Sequence, residues 1–203
     1  MICGRTKINV LDLKSGYNFS GMVIKLLSQY MEYVEFFDDG SSLLDCDKSG
    51  LYLAIQDWTG WTKLNSIACV SKITTWYRIT IDQDSLVSRE RRIDATEEEL
   101  IPVYDPSQSI HGFHGETKFL YQLKEMRNVV QGDKIRHRDL TGPEDDHPEQ
   151  FRSVFVSEDP INLPPEFETV GYEIETLSGF YNGNGFHLAA NNIATKTKDT
   201  SYK

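Results

Sequence analysis

The side chains of this sequence that could do chemistry lie in three separate stretches. Cys3 is near the start, Thr96 precedes three glutamates that end at Glu99, and His187 precedes an Asn-Asn pair. A thiol can act as a nucleophile, and a carboxyl group whose pKa is raised by burial can act as an acid. Each also has a structural interpretation, because free cysteines are usually buried and a glutamate run often forms a solvated turn or begins a helix.

Scattered histidines raise the possibility of a metal site. His111 and His114 stand in the segment SIHGFHGE, and His137 and His147 follow further along the chain. Their spacing is loose, a glycine follows each of the first two, and no cysteine is nearby. We therefore predict loop histidines, with no metal and no cofactor.

Short alternating segments would position these side chains. They are rich in Val, Ile, Tyr and Trp and are bounded by Gly, Asp, Ser or Pro, a pattern typical of strands in a sandwich or barrel. The predicted strands are Lys7 to Leu13, Leu51 to Gln56, Trp76 to Asp82, Leu100 to Tyr104, Lys134 to Arg138 and Val170 to Thr176. Helical spacing predicts two helices, one with Met22, Ile24, Leu26 and Leu27, and one with Phe119, Leu120, Leu123, Met126 and Val129. The fold class is therefore mostly β.

Length and charge limit the classes of function. A chain of 203 residues can form one domain with a sizeable core. Its formal charge of -10 argues against nucleic acid as a partner, because duplex binding needs clustered lysines and arginines. Three cysteines are too few and too scattered for a disulfide framework. With no leader-like start and no long apolar run, we predict a cytoplasmic protein that does not bind membranes. We also expect a monomer.

Two regions differ from the rest in composition. Residues 141–167 contain five prolines and many acidic side chains around a short apolar patch, which predicts an exposed connector. Residues 192–203 have no periodicity and few large apolar side chains, so we expect a tail outside the packed domain of residues 1–191.

Four separated stretches resemble, in the right order, the sequence blocks of inteins, the self-excising domains of the hedgehog/intein (HINT) superfamily. MICGRTKI is similar to the opening block when Met1 stands at the Cys or Ser nucleophile. RRIDATEEELIPVYD is similar to the Thr-x-x-His block, with Thr96 matching and Glu99 in place of the His. QGDKIRHRD is similar to a Gly-Asp turn, and VGYEIETLSGFYNGNGFHLAANN is similar to the C-terminal blocks.

The resemblance implies a horseshoe-like HINT fold with one or two short helices and a self-splicing reaction. In that reaction residue 1 attacks the preceding carbonyl, the acyl group moves to a Cys, Ser or Thr after the intein, and the terminal Asn cyclises and cuts the chain. Thr96 and Glu99 would then serve the first junction. Glu173 would replace the family's usual Asp near the junction. Alternatively, Glu173 is an outward-facing strand residue.

The N-terminal position carries no nucleophile in this chain. The thioether of Met1 has no proton to lose, so Met1 replaces a Cys or Ser, either as an inactivating substitution or as an initiator methionine. Cys3 is the competing candidate, although choosing it would displace Gly4 and Thr6 from their expected spacing.

The C-terminal junction can be aligned in two ways. In one, Ala189 and Ala190 replace the final His and Asn. In the other, Asn191 is the terminal Asn, and Asn192 stands where a hydroxyl or thiol belongs. His187 would substitute for the missing His or serve a structural role on its strand.

The sequence thus predicts a mini-intein, without an endonuclease, trapped as an unspliced precursor. Its partners would be its own flanking extein segments and, if the chain is a fused split intein, a complementary fragment. The segment GWTK is similar to inteins of family B DNA polymerases and phage replication proteins. The alternatives are a HINT domain that only cleaves and a non-enzymatic phage β-protein that interacts through its acidic surface.

Overall fold

The computed structural model describes residues 1–71, 73, 75–81, 91–111, 117–138, 150–156, 161 and 170–191. In these residues the chain is mostly β, as predicted. The strands are β1 (Ile2–Cys3), β2 (Lys7–Asp12), β3 (Asn18–Met22), β4 (Val34–Phe36), β5 (Ser42–Asp45), β6 (Leu53–Gln56), β7 (Trp61–Ser71), β8 (Tyr77–Thr80), β9 (Arg92–Ala95), β10 (Leu100–His111), β11 (Thr117–Glu125), β12 (Lys134–His137), β13 (Gln150–Ser153), β14 (Phe155–Val156), β15 (Val170–Thr176), β16 (Phe180–Gly183) and β17 (Phe186–Ala189).

The described strands form two antiparallel sheets. The first has the order β14-β8-β9-β1-β15-β7-β6-β2-β3, with β4 and β5 attached through β7. The second has the order β11-β10-β12-β17-β16, with β13 on β12. One cluster of buried apolar side chains includes residues of both sheets, so the sheets share a core.

The register of β1 brings distant parts of the chain together. Ile2 lies opposite Ala95 of β9 on one side and opposite Tyr172 of β15 on the other. In antiparallel pairing the preceding residue, Met1, therefore comes beside the residues that follow Ala95 and Tyr172. These neighbours are Thr96 and Glu173.

The first predicted helix is confirmed, and the second is wrong. Helix α1 spans Val23–Gln29 and buries Val23, Leu26 and Leu27. The segment from Phe119 onward instead forms β11, followed by a 3-10 turn at Met126–Asn128. Over so short a run, the apolar spacing fits both the helical period and the alternation of a strand. The segment forms a strand because antiparallel pairing with β10 satisfies its backbone hydrogen-bonding groups.

The predicted exposed connector needs a correction where the structure describes it. Within residues 141–167, β13 pairs with β12 and β14 pairs with β8, and Val154 between them is fully buried. The apolar patch therefore joins both sheets instead of lying exposed. The other residues of the connector, except Ile161, lie outside the described residues, as does the predicted tail of residues 192–203.

Candidate functional site

The nitrogen of Met1 lies beside a group of polar side chains, Thr96, Glu99, Glu173, Tyr181 and Asn191, which we call the cleft. This nitrogen is the free, charged amino group of the chain; it donates hydrogen bonds to Oγ1 of Thr96, at 2.9 Å, and to Oε2 of Glu99, at 2.5 Å, where it forms an ion pair. The side chain of Glu99 is only 11% exposed. The two residues that the sequence aligned with the Thr-x-x-His block thus contact the same backbone atom of the residue aligned with the nucleophile.

A tight turn after β9 holds Thr96 and Glu99 in place. The backbone nitrogen of Thr96 donates to the Met1 carbonyl at 2.9 Å, and the nitrogen of Glu99 donates to the Thr96 carbonyl at 3.1 Å. The Glu99 carbonyl accepts a bond from the nitrogen of Met126 at 2.8 Å. Because the backbone is bonded on both sides of the turn, the main-chain positions of Thr96 and Glu99 beside Met1 are fixed.

A tyrosine that the sequence analysis did not single out completes this side of the cleft. The hydroxyl of Tyr181, on β16, donates to Oε1 of Glu99 at 3.3 Å. Burial, together with the negative charge of Glu99, raises the pKa of Tyr181 well above its ordinary value, so the hydroxyl keeps its proton. The sequence analysis predicted no strand at Tyr181, and no local pattern reveals a partner 82 residues away.

Glu173 and Asn191 form the other side of the cleft. The side-chain amide of Asn191 donates to Oε2 of Glu173 at 3.0 Å. Burial raises the pKa of Glu173, the amino group of Met1 opposes this rise, and the charge of Glu99 adds to it. Glu173 therefore lies within electrostatic reach of Met1 and Glu99 while it binds Asn191. Glu173 and Asn191 also line an open groove of about 600 Å³.

The remaining C-terminal candidates lie apart from these polar contacts. Ala189 and Ala190 are 3% and 1% exposed and pack as apolar residues, and the Ala190 nitrogen donates to the Gly179 carbonyl. Asn192 lies outside the described residues. Of the two alignments of the junction, only the one ending at Asn191 puts an amide side chain in the cleft.

His187 belongs to an aromatic cluster in the second sheet. Its Nδ1 is 2.7 Å from the hydroxyl of Tyr104, and its ring lies 5.7 Å from Trp58 and 4.8 Å from Phe180. Burial, assisted by the positive charge of Arg136, lowers the pKa of His187 to about 3. The ring is therefore neutral at ordinary pH, and its hydrogen bond holds it to Tyr104 rather than to Met1.

Cys3 and the other histidines are placed differently. Cys3 is 2% exposed and packs against Ile73 and Trp76, and burial raises the pKa of its thiol. His137 is buried and contacts the Asn184 carbonyl, His111 is exposed, and His114 and His147 lie outside the described residues.

Among the residues that the structure describes, no group of three or more His, Cys, Asp or Glu is arranged to hold a metal ion. Within the same residues, no helix is long and apolar enough to cross a membrane.

No family model and no curated protein match the sequence. Solved structures do match the fold. The transcription factor IIB Mvu mini-intein is 10% identical with a TM-score of 0.62, covering 93% of this chain and 98% of its own. An intein from a hyperthermophile is 13% identical with the same TM-score and the same coverage. The Pab PolII intein is 12% identical with a TM-score of 0.54, covering 94% and 100%.

These matches span nearly the whole of both chains at identities far below those at which sequence alone reveals kinship. They therefore show a shared path of the backbone, and nothing more than the fold. The chain has the HINT fold of the inteins.

Proposed function

We propose that this chain is a protein-splicing element, which joins its flanking segments while it excises itself. The observation that carries the proposal is the common cleft of the two junctions. The Met1 amino group marks the position of the first junction nitrogen, within hydrogen-bonding distance of Thr96 and Glu99. Strand register places Met1 beside Glu173, which binds Asn191. Reactions between two chain ends that are held together proceed as intramolecular steps, which removes much of the entropic barrier.

The first step needs Cys or Ser at position 1. Its sulfur or oxygen adds to the carbonyl carbon of the preceding residue, and the bond from that carbon to the nitrogen of residue 1 breaks. The proton lost by the nucleophile passes to the carboxylate of Glu99, and Glu99 delivers a proton to the departing nitrogen, so no proton is gained or lost overall. Thr96 supports this step through its hydroxyl, which contacts the same nitrogen.

The cut at the C-terminal junction uses Asn191. Its side-chain nitrogen attacks its own carbonyl carbon, the peptide bond to residue 192 breaks, and a succinimide remains on the excised domain. Glu173 accepts the proton that the attacking amide loses and returns a proton to the leaving amine, and the ester that joins the flanks then rearranges to a peptide bond. A carboxylate with a raised pKa is a stronger base, and Glu173 already accepts a hydrogen bond from this amide.

Two positions block the full reaction in the chain as it stands. Met1 cannot form the first ester, and Asn192 has no hydroxyl or thiol to receive the acyl group. We propose that this form is an unspliced precursor. As further parts of the proposal, its partners are its own flanking segments, and it functions in the cytoplasm. Its host is a family B DNA polymerase or a phage replication protein, which the segment GWTK supports.

The test is a precursor that carries Met1→Cys and Asn192→Cys between two peptides of different mass. We expect mass spectrometry to find the two peptides joined and the domain released. In the same precursor Asn191→Ala should prevent release at the C-terminal junction. Met1→Ala, which retains Cys3, should stay uncut at the N-terminal junction.

Three results would contradict parts of the proposal. If the flanks are cut but never joined, the domain is a cleavage-only autoprocessing domain. If Met1→Ala is cut at its N-terminal junction, Cys3 is the nucleophile. If neither junction is cut, the splicing function is wrong, and the fold serves a non-enzymatic role.

A further inference from the structure

We infer that Tyr181 is the positioning residue that aims the carboxyl group of Glu99 at the nitrogen of the N-terminal junction. This inference rests on the proposed function, because it concerns the geometry of the first step. It assigns a role to a residue of the second sheet that lies within the fourth stretch matched above but was aligned with no functional position there.

The two oxygens of Glu99 have different partners. Oε2 contacts the Met1 nitrogen, and Oε1 accepts the bond from the Tyr181 hydroxyl. A glutamate side chain turns about three bonds, so a single contact to the junction would leave its direction poorly defined. The second contact, at the opposite oxygen, fixes the rotation of the carboxyl group about its last bond.

Tyr181 is well suited to fix this rotation because its own surroundings hold it in place. It is 1% exposed and lies on β16, where it pairs with Leu188 of β17. The backbone of Glu99 is held between the turn after β9 and the first residue of β10, Leu100, whereas its carboxyl group is held only by the contacts of its two oxygens. The bond from Tyr181 therefore fixes this carboxyl group against a rigid side chain of the second sheet.

The hydroxyl also suits both protonation states of Glu99. When the carboxyl group holds its proton on Oε2, Oε1 still accepts the bond from Tyr181. After the proton has moved to the junction nitrogen, the same bond stabilises the carboxylate that remains. Glu99 stands where the family places a histidine. A histidine ring is rigid and would keep its own orientation, whereas the carboxyl group of Glu99 can rotate. The bond from the Tyr181 hydroxyl to Oε1 supplies the missing orientation.

The test measures thiol-induced cleavage at the N-terminal junction. The precursor carries an N-terminal flank, Met1→Cys and Asn191→Ala, so that only the first step proceeds. We expect Tyr181→Phe to slow cleavage by roughly ten-fold, about the effect of one hydrogen bond to a charged group. In a precursor that also carries Glu99→Ala, the same substitution should change the rate by less than about two-fold, because no carboxyl group remains to be aimed.

Tyr104→Phe is the matched control. It removes another buried hydroxyl bond, the one to His187, and should leave cleavage unchanged. As a direct readout, the ¹³C resonance of the Glu99 carboxyl carbon, assigned through Glu99→Gln, should shift in Tyr181→Phe and stay in place in Tyr104→Phe.

The outcomes separate this inference from the proposed function. An equal slowing by Tyr181→Phe with and without Glu99 would show a general structural role and overturn the inference. So would a normal cleavage rate in Tyr181→Phe, or an unmoved Glu99 resonance. If no variant is cleaved at all, the splicing function fails, and the resonance still decides whether Tyr181 holds Glu99.

Discussion

Single residues in this protein acquire their properties from burial and from one or two polar contacts. Glu173 and His187 are both partly or fully enclosed, yet burial moves their pKa values in opposite directions, because it disfavours a negative charge on one and a positive charge on the other. Glu173 thereby becomes a stronger base beside Asn191. His187 becomes a neutral ring that serves only as a hydrogen-bond partner of Tyr104.

His187 makes stability depend on pH. Its pKa is about 3 in the folded chain and about 6.5 when unfolded, so between these values the unfolded chain binds a proton that the folded chain does not. Stability is therefore lost as pH falls below about 6.5, by roughly 2 to 3 kcal/mol at about pH 4.5. We expect His187→Gln to lose correspondingly less stability between about pH 7 and pH 4.5, measured by urea unfolding at each pH.

The exposed histidine of β10 provides the comparison for this prediction. His111→Gln is the matched comparison, because it makes the same substitution at an exposed position of the chain. If His187→Gln loses as much stability on acidification as His111→Gln does, then the ring of His187 is not held neutral in the core.

Among the elements, the hairpin of β16 and β17 connects most parts of the site. Its two-residue turn is Asn184-Gly185, with φ values of 50° and 80°, as a type I′ hairpin requires. The Asn184 side chain accepts a bond from the Lys7 nitrogen and donates one to the Arg92 carbonyl. The turn thus anchors the hairpin, which contains Tyr181 and leads to Asn191, to two strands of the first sheet.

Gly185 should tolerate no side chain. A Cβ there would lie 2.3 Å from the Arg138 carbonyl oxygen, in a backbone conformation that already disfavours L-residues. We expect Gly185→Ala to reduce the free energy of unfolding by about 3 kcal/mol or more, through strain and a forced backbone shift. The measurement is urea unfolding followed by tryptophan fluorescence.

Gly50→Ala separates the two causes of that loss. Gly50 also has a positive φ, of 64°, but no heavy atom lies within 4 Å of the position that a Cβ would occupy there. We expect a loss of only about 1 kcal/mol, from backbone strain alone. Equal losses in the two variants would mean that the contact with Arg138 is relieved without cost.

For the whole molecule, the decisive feature is that the last third of the chain contributes strands to both sheets. β13, β16 and β17 belong to the second sheet, while β14 and β15 belong to the first. β15 lies between β1 and β7 and contains Glu173, so the side of the cleft that binds Asn191 is absent without it. A chain cut between β12 and β13 would therefore leave two pieces, each exposing apolar strand faces that only the other covers.

We accordingly expect fragments ending at residue 140 and beginning at residue 141 to associate when they are expressed together. With Met1→Cys and an N-terminal flank, thiol-induced cleavage should be seen only in the associated pair, as judged by size-exclusion chromatography and mass spectrometry. As a control, Ile174→Asp in the second fragment should weaken association, because Ile174 is buried on β15. Cleavage by the first fragment alone would show that β15 is dispensable for the cleft.

The sequence by itself determined those features that depend on local pattern and on chemical type. Alternation predicts the strand at Val170–Thr176 with the bounds that the structure shows, and four apolar positions predict α1, because side-chain periodicity is a local property. That Met1 cannot act as a nucleophile follows from its thioether. The order of four sequence blocks was enough to predict the fold.

Tertiary structure decided what depends on partners far along the chain. It made residues 117–125 a strand, because β10 offered a hydrogen-bonding edge that no local spacing reveals. It paired Tyr181 with Glu99 and Asn191 with Glu173, and it buried Val154 inside a segment of exposed composition. Hydrogen bonding and burial depend on which groups meet in three dimensions, and here those groups are brought together by sheet register rather than by sequence spacing.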